Sequence, residues 1–275
     1  MNYFNKLKNI VSKNNSALVI GLDTDLNKLP SFFLKYKNPA AEFNRQIIES
    51  TKDIAAGYKL NMAFYEFLGA DGIEAVSETL NAIPSGMIKI CDAKRGDIDN
   101  TAEMYAATYF DKFDFDSITL SPYLGTDSLT PFLKRENKLV YVLALTSNHS
   151  FSDFQKLKTG ERYLYEEVIS KCLSLSKNNN VGFVFGANHT SEILEFTSLH
   201  SYVPVLIPGI GAQENDLVSL MNSVRSDVCL INSSRAVIYT AGKECNANEF
   251  NEKIKTAAES LNYEINKLRK LSAED

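Results

Sequence analysis

Histidine and cysteine are scarce in this chain of 275 residues, which contains three histidines and four cysteines. His149, His189 and His200 show no metal-ligand spacing, and no two cysteines form a C-x-x-C motif. This pattern argues against a zinc site and against a Ser-His-Asp hydrolase. Cys91 and Cys229 lie in apolar runs typical of strands. Reduced, buried thiols are therefore favoured over two disulfides, and we expect a cytoplasmic protein.

The chain also lacks a basic excess, a long apolar run and a glycine- or proline-rich stretch. Its 29 Lys+Arg against 34 Asp+Glu give a net charge of −5, so no surface for nucleic acid is expected. No window approaches the roughly 18 consecutive apolar residues of a membrane span, and residues 1–16 have no signal-peptide core. With 13 Gly, 7 Pro and 44% hydrophobic residues, disorder, collagen and coiled coil are excluded. We expect a soluble, compact enzyme.

Eight short runs rich in β-branched residues recur along the chain, each followed by a helical pattern. They lie at 17–23, 57–61, 87–92, 117–121, 140–147, 181–187, 203–208 and 228–233. Most are continuously apolar, as is typical of parallel strands that are covered on both faces. Amphipathic segments separate the runs, for example at 40–55, 101–110, 163–175 and 250–268. This alternation predicts a parallel sheet.

The repeat predicts a single α/β domain over residues 1–275, folded as a (β/α)8 barrel. A helical extension at 1–16 precedes the barrel, and a helix at 250–275 ends it. Two Rossmann-type halves are the alternative, but no linker divides the repeats and no G-x-G-x-x-G follows the first strand. In such a barrel the active site lies at the C-terminal ends of the strands. The residues expected there, nearly all polar or charged, are Asp23, Lys59, Asp92, Lys94, Asp97, Ser147, Pro208 and Arg235.

The densest charged sequence is Asp-Ala-Lys-Arg-Gly-Asp-Ile at 92–98, directly after the third run. Asp92 and Lys94 are two apart on an extended strand, so their side chains leave on the same face. A turn follows and places Asp97 near the same site. Lys59, at the end of the second strand, is expected to lie beside these residues. A surface ion-pair cluster is the alternative. At a barrel mouth, an alternating array keeps an ammonium protonated and repels an anionic substrate group, which suits a decarboxylation followed by protonation.

The loops after the seventh and eighth strands form the usual phosphate-binding corner of such barrels. Residues 208–213, Pro-Gly-Ile-Gly-Ala-Gln, contain two glycines that can present backbone N–H groups, although turn formation alone explains such a loop equally well. Residues 232–236, Asn-Ser-Ser-Arg-Ala, supply an amide, hydroxyls and the Arg235 guanidinium, which match a dianion. The two loops together predict a phosphorylated small molecule as the ligand.

The charged sequence at 92–98 resembles the D-x-K-x-x-D signature of orotidine 5′-phosphate decarboxylases, in the D-A-K-R-G-D form of the longer bacterial branch. The resemblance covers almost the whole chain. It includes Gly-Leu-Asp at 21–23, Lys59, Thr-Ser-Asn at 146–148, the loop at 208–213 and Arg235. It implies decarboxylation of orotidine 5′-monophosphate to uridine 5′-monophosphate (UMP) and CO2, the last step of de novo UMP biosynthesis, without a metal or an organic cofactor.

The resemblance also implies roles for the residues of the charged array. Lys94 would donate a proton to C6 of the pyrimidine, and Asp92 would lie against the departing carboxylate. Lys59 would complete the network and bind ribose. Asp97 and Thr101 would reach the ribose of the neighbouring subunit's substrate, which makes the protein a homodimer with shared active sites.

Further contacts with the nucleotide are implied around the mouth. Asp23 would contact a ribose hydroxyl, and Ser147 would bind the pyrimidine. The phosphate would be held by Pro208, Gly209, Gln213 and Arg235. The chain departs from the family at His149-Ser150, where Pro-Gly is common, and at Glu214-Asn215, where Gly-Gly is common. We expect His149 to be a hydrogen-bonding residue at the base of the lid, the loop that closes over the phosphate.

Two other functions fit the same fold. Sugar-phosphate decarboxylases and hexulose-phosphate synthases share the D-x-K-x-x-D core but use Mg²⁺, with an acidic residue at the second strand end. Here that position is Lys59, a cation where the metal would bind. A non-catalytic phosphate-binding barrel would lack a member of the charged array, and none is missing.

Overall fold

Eight parallel strands close into a barrel in this computed structural model, which describes residues 1–209 and 214–274, without side chains at 214–216 and 270–274. Each strand pairs with the next in the chain, and the eighth pairs with the first. The predicted (β/α)8 barrel is confirmed. The strands are β1 (Leu18–Gly21), β2 (Gly57–Asn61), β3 (Ile88–Arg95), β4 (Ser117–Leu120), β5 (Leu139–Leu145), β6 (Val181–Phe185), β7 (Val205–Pro208) and β8 (Cys229–Ser233).

Helices surround the barrel and cover its outer face. They are α1 (Tyr3–Asn14), α2 (Pro39–Thr51), α3 (Met62–Glu66), α4 (Ala70–Ala82), α5 (Asp99–Ala106), α6 (Thr126–Leu133), α7 (Leu164–Leu175), α8 (Thr190–Leu199), α9 (Glu214–Met221), α10 (Arg235–Ile238) and α11 (Ala247–Glu274). A π-helical segment, Ala107–Lys112, continues α5. Short 3₁₀ segments lie at Leu26–Lys28, Ser31–Lys35 and His149–Asp153, and a small antiparallel hairpin pairs Lys158–Thr159 with Arg162–Tyr163.

The two terminal helices lie close to where the sequence predicts them. Helix α1 falls inside the predicted range 1–16, and α11 begins at Ala247, slightly before the predicted start at 250. Helix α11 is amphipathic and buries Phe250, Ile254 and Ala258 completely. The ring of Phe250 packs against Phe33 and Phe43, so the last helix is part of the same hydrophobic core as the barrel.

Helix α1 closes the end of the barrel opposite the active-site mouth. Leu7 is fully buried, and the Tyr3 hydroxyl hydrogen-bonds the Tyr141 hydroxyl of β5 at 2.9 Å. Lys6 forms an ion pair of 2.8 Å with Asp116, the residue directly before β4. Because these contacts lie at the N-terminal ends of the strands, the C-terminal ends remain free for chemistry.

Two further expectations from the sequence concern the cysteines and the membrane. All four cysteines are free thiols, and three of them are buried. In the part of the chain that the structure describes, no helix has the length and apolar character needed to cross a membrane.

Candidate active site

Four charged side chains form a continuous ion-paired chain at the mouth of the barrel. One carboxylate oxygen of Asp92, Oδ2, lies 2.9 Å from Lys59 Nζ, and the other, Oδ1, lies 2.7 Å from Lys94 Nζ. On its other side, Lys59 Nζ lies 3.7 Å from Asp23 Oδ1. The order along the cluster is Asp23, Lys59, Asp92, Lys94, so two positive charges alternate with two negative ones. We call these four residues the charge network.

The strand register explains how Lys59 comes to lie between two carboxylates. In the sheet, Lys59 of β2 is level with Gly21 of β1 and with Ile90 of β3. Asp23 follows β1 by two residues, and Asp92 lies two residues beyond Ile90. The Lys59 side chain, which is only 4% exposed, therefore reaches a carboxylate on each neighbouring strand.

A bulge in β3 places Lys94. Cys91 and Arg95 of β3 pair with Ile118 and Leu120 of β4, so β3 has two more residues than β4 between the paired positions. Within this bulge Lys94 has a φ of +48°, in the left-handed region that is uncommon for a residue with a side chain. Bulges of this kind re-aim side chains next to active sites. The side chains of Asp92 and Lys94 do meet, as predicted, but through a bulge rather than a regular pleat.

Thr119 fixes both ends of that bulge, and the sequence analysis missed it. Its hydroxyl donates to Asp92 Oδ1 at 3.0 Å and accepts from the backbone N–H of Lys94 at 3.0 Å. Thr119 is buried near the end of β4. The only signal in the sequence is a hydroxyl residue in an otherwise apolar run, at the position where β4 runs beside the charged sequence.

The charges of the network stabilise one another against burial. Burial raises the pKa of Asp92, but the two neighbouring ammonium groups of Lys59 and Lys94 outweigh it and hold that pKa well below its usual range. Burial lowers the pKa of Lys59, yet the carboxylates of Asp92 and Asp23 raise it above its ordinary value. Asp92 therefore remains an anion and Lys59 a cation at neutral pH.

Three members of the charge network, Lys59, Asp92 and Lys94, line a cavity of about 490 Å³, which is of the size of small-ligand sites. Its floor is apolar and comes from three strands, with Leu143 of β5, Val184 of β6 and Leu206 of β7. Ser147 lines the same cavity. The cavity therefore combines an apolar floor with charged side chains on its wall.

The predicted phosphate corner lies at the ends of β7 and β8. Pro208 lines the cavity, and Gly209 has a φ of +101°, a conformation that favours glycine. Arg235 is exposed at the start of α10 and forms no ion pair with any described residue. Gln213 lies outside the described residues, as does Gly211 of the same loop.

Asn232 supplies the amide that the sequence predicts for the phosphate corner. It is 3% exposed at the end of β8, and its Oδ1 has no hydrogen-bond donor among the residues the structure describes. The Asn232 carbonyl accepts from the Gly209 N–H at 3.3 Å. Gly21 borders the same corner, because a Cβ there would collide with the Ser234 hydroxyl. This packing brings the end of β1 against the phosphate corner.

Asp97 and Thr101 stand apart from the charge network. Asp97 accepts a hydrogen bond from the Ile98 N–H at 2.9 Å, and it makes no ion pair within the described ranges. Thr101 is exposed on the first turn of α5. Within this chain the second carboxylate of the network is therefore Asp23 rather than Asp97.

The hydrogen bond expected of His149 has no counterpart among the residues that the structure describes. Its ring is exposed at the start of the 3₁₀ segment, and no hydrogen bond joins it to a described residue. The histidine that bonds this loop is His189, whose Nε2 donates to the Thr146 carbonyl at 2.9 Å. The role expected of His149 stays a prediction, because residues 210–213 of the phosphate loop lie outside the described residues.

Known proteins resemble this chain over most of its length, and the resemblance identifies its family. The family model described as Orotidine 5′-phosphate decarboxylase / HUMPS family matches residues 16–250. The chain belongs to this family. An orotidine 5′-phosphate decarboxylase of Dehalococcoides mccartyi is 41% identical over 98% of this chain and 99% of the relative. Another, of Christiangramia forsetii, is 40% identical over 94% of this chain and 97% of the relative.

Solved structures agree with the sequence relatives. The structure of Leishmania donovani OMP decarboxylase superposes with a TM-score of 0.83 at 36% identity, covering 98% of this chain and 99% of that one. The resemblance read from the sequence is therefore confirmed, as is the barrel. Membership of the orotidine 5′-phosphate decarboxylase / HUMPS family leaves two chemistries to distinguish, and the residues at the mouth bear on that distinction.

Proposed function

We propose that this chain is a carboxy-lyase that converts orotidine 5′-monophosphate (OMP) to UMP and CO2 in pyrimidine biosynthesis. Curated relatives named orotidine 5′-phosphate decarboxylase match this chain over nearly their whole length. The observation that carries the proposal is the charge network, in which Asp92 bridges Lys59 and Lys94 at 2.9 and 2.7 Å on the wall of the cavity.

In the proposed mechanism, the substrate carboxylate lies against Asp92 and the pyrimidine ring covers the apolar floor. The bond between C6 and the carboxylate breaks, CO2 leaves without the electron pair, and that pair remains on C6. Lys94 Nζ donates a proton to C6 and regains one from water. Preorganised charge stabilises the developing carbanion without reorganisation during the reaction.

Exposure distinguishes the two lysines of the network. The Lys94 side chain is 50% exposed and can exchange its proton with water after each turnover. The Lys59 side chain is 4% exposed and is paired with carboxylates on both sides, so it suits a fixed electrostatic role and a ribose contact. This difference supports Lys94 as the proton donor.

The Mg²⁺-dependent sugar-phosphate chemistry of related barrels is the second candidate. It needs oxygen ligands arranged for a divalent cation. Here the Lys59 ammonium already lies between the carboxylates of Asp23 and Asp92, at 3.7 and 2.9 Å. A cation held covalently by the chain neutralises the two carboxylates, which favours the cofactor-free reaction.

We also propose a cytoplasmic homodimer with shared active sites. Ile98 and Met104 expose apolar side chains on and beside α5, and Tyr123 does so on the loop after β4. An apolar surface of this kind suits a two-fold contact with a second copy. Asp97 and Thr101 border it, in a position to serve the partner's site. The free, buried thiols fit a reducing compartment.

The direct test is incubation of the purified chain with OMP. We expect CO2 and UMP to form in equal amounts, because one bond to C6 is broken for each proton delivered. Tight binding of OMP without release of CO2 would indicate a non-catalytic phosphate-binding barrel instead.

Replacing Arg235 with alanine tests the phosphate corner. We expect the KM for OMP to rise about 10- to 100-fold, because a guanidinium-phosphate contact is charge-assisted and remote binding energy supports the chemical step. Phosphite added with orotidine, the substrate without its phosphate, should partly restore the rate in the wild type. Arg225→Ala is the matched control, since the Arg225 guanidinium donates to the backbone carbonyls of Asn222 and Val224 at the other end of β8. An unchanged KM in Arg235→Ala would remove Arg235 from the site.

A further inference from the structure

Thr146 is the residue before Ser147, and its N–H, hydroxyl and carbonyl all form hydrogen bonds. Its N–H donates to Gln155 Oε1 at 2.8 Å, and its hydroxyl accepts from Gln155 Nε2 at 2.8 Å. The hydroxyl in turn donates to Asn148 Oδ1, and the carbonyl accepts from His189 Nε2 at 2.9 Å. Because a backbone N–H can only donate and a carbonyl can only accept, the direction of each bond is fixed.

The backbone of Ser147 also packs closely against Gly186, the residue directly after β6. A Cβ at Gly186 would lie 2.8 Å from Ser147 N and 2.9 Å from Ser147 Cα, closer than side-chain carbons approach. The Gly186 N–H donates to the Leu145 carbonyl at 2.7 Å. The backbone of Ser147 therefore rests directly on the barrel, with no side chain between them.

The two residues that hold Thr146 are themselves anchored to different elements. The Gln155 carbonyl accepts from the Tyr165 N–H of α7 at 3.0 Å, and the Gln155 N–H donates to the Phe151 carbonyl at 2.9 Å. His189 is 5% exposed, directly before α8, and packs edge-on against the Phe151 ring at 4.6 Å. The segment 146–148 is thus braced from α7 and from α8.

We infer that Gln155 and His189 are positioning residues for the base, which hold residues 146–148 so that Ser147 presents one fixed arrangement to the pyrimidine. The inference rests on the proposed function, in which Ser147 binds the base. A platform ordered before binding loses little entropy when the ligand arrives, whereas displacement by about 1 Å weakens well-oriented contacts by up to about 100-fold. Neither residue belongs to the charge network or to the phosphate corner.

The test compares a ligand that has the base with one that lacks it. In Gln155→Met, which keeps the length of the side chain and removes both hydrogen bonds, we expect the dissociation constant of UMP to rise about 10- to 100-fold. The constant for ribose 5-phosphate should stay within about twofold, since that ligand does not reach residues 146–148. Isothermal titration calorimetry measures both. Gln46→Met is the matched control, because Gln46 is also half-buried but bonds Glu42 on α2, away from the cavity.

Two variants at His189 separate positioning from packing. His189→Gln retains an amide N–H to reach the Thr146 carbonyl and is expected to keep UMP affinity near the wild-type value. His189→Phe retains the ring but not the donor, and is expected to weaken UMP binding without a matching loss for ribose 5-phosphate.

Three results decide the matter. If Gln155→Met and His189→Phe weaken UMP selectively, the inference holds. If they weaken both ligands equally, or neither, it is overturned, while OMP turnover by the wild type leaves the proposed function standing. If the wild type neither binds UMP nor releases CO2 from OMP, the proposed function itself has failed.

Discussion

Lys94→Ala is expected to lower kcat for OMP by roughly 10⁴-fold or more, while UMP remains bound. The variant removes both the proton donor and one positive charge beside C6, and each contribution alone is worth roughly 10² to 10⁴-fold. The fold should persist, because Asp92 keeps its 2.9 Å ion pair with Lys59 and its hydrogen bond from Thr119. Steady-state kinetics and UMP titration measure the two properties separately.

Lys89→Ala is the matched control for this experiment. Lys89 lies on the same strand, but at the N-terminal end, where its ammonium is 4.0 Å from Asp114 and far from the mouth. The control should retain normal kcat. A Lys94→Ala enzyme with near-normal kcat would show that another group protonates C6, and the assignment of Lys94 would have to be abandoned.

A heterodimer of Lys94→Ala with Asp97→Ala is expected to recover about half of the wild-type activity per dimer, although each homodimer is nearly inactive. If the sites are shared, one site combines an intact Lys94 with the partner's intact Asp97, and the other site lacks both. The two subunits are co-expressed with different affinity tags, and the heterodimer is isolated by purification on both.

A heterodimer of Lys94→Ala with the wild type provides the reference, because it also retains one complete site of two. Equal activity in the two heterodimers supports the shared arrangement. If the Lys94→Ala/Asp97→Ala heterodimer is no more active than the homodimers, Asp97 does not serve the neighbouring subunit. The isolation of Asp97 from the charge network of its own chain is the structural reason for expecting recovery.

The barrel could be predicted from the sequence because an apolar run followed by a helical pattern occurs eight times. Each of these patterns depends only on residues that are neighbours in the chain. Continuous apolar runs became strands that are buried throughout, as in β1, and the amphipathic runs between them became helices. The end of β3 was placed too early, at 92 instead of Arg95. Arg95 belongs to the strand because it pairs with Leu120 of β4 beyond the bulge. Its guanidinium lies near the Tyr105 ring, is bonded to Tyr109 at 2.8 Å and is paired with Glu66. Such contacts cannot be predicted from a local sequence pattern.

The site was predictable where charge and strand position coincide. Lys59, Asp92 and Lys94 have that combination, and the structure joins them. Thr119 and Gln155 lack it, since a single hydroxyl or amide acquires its role only from a partner across the barrel or on another loop. The same limit applies to the second carboxylate of the network, which the register of β1 with β2 assigns to Asp23, two residues after β1.

The measurement that tests the central claim most directly is OMP turnover by protein freed of metal. The protein is treated with a chelator, its metal content is measured, and the chelator stays in the assay. If fixed charges of the chain alone drive the loss of CO2, kcat should match that of untreated protein within about twofold. Loss of activity on chelation, restored by Mg²⁺, would contradict the account.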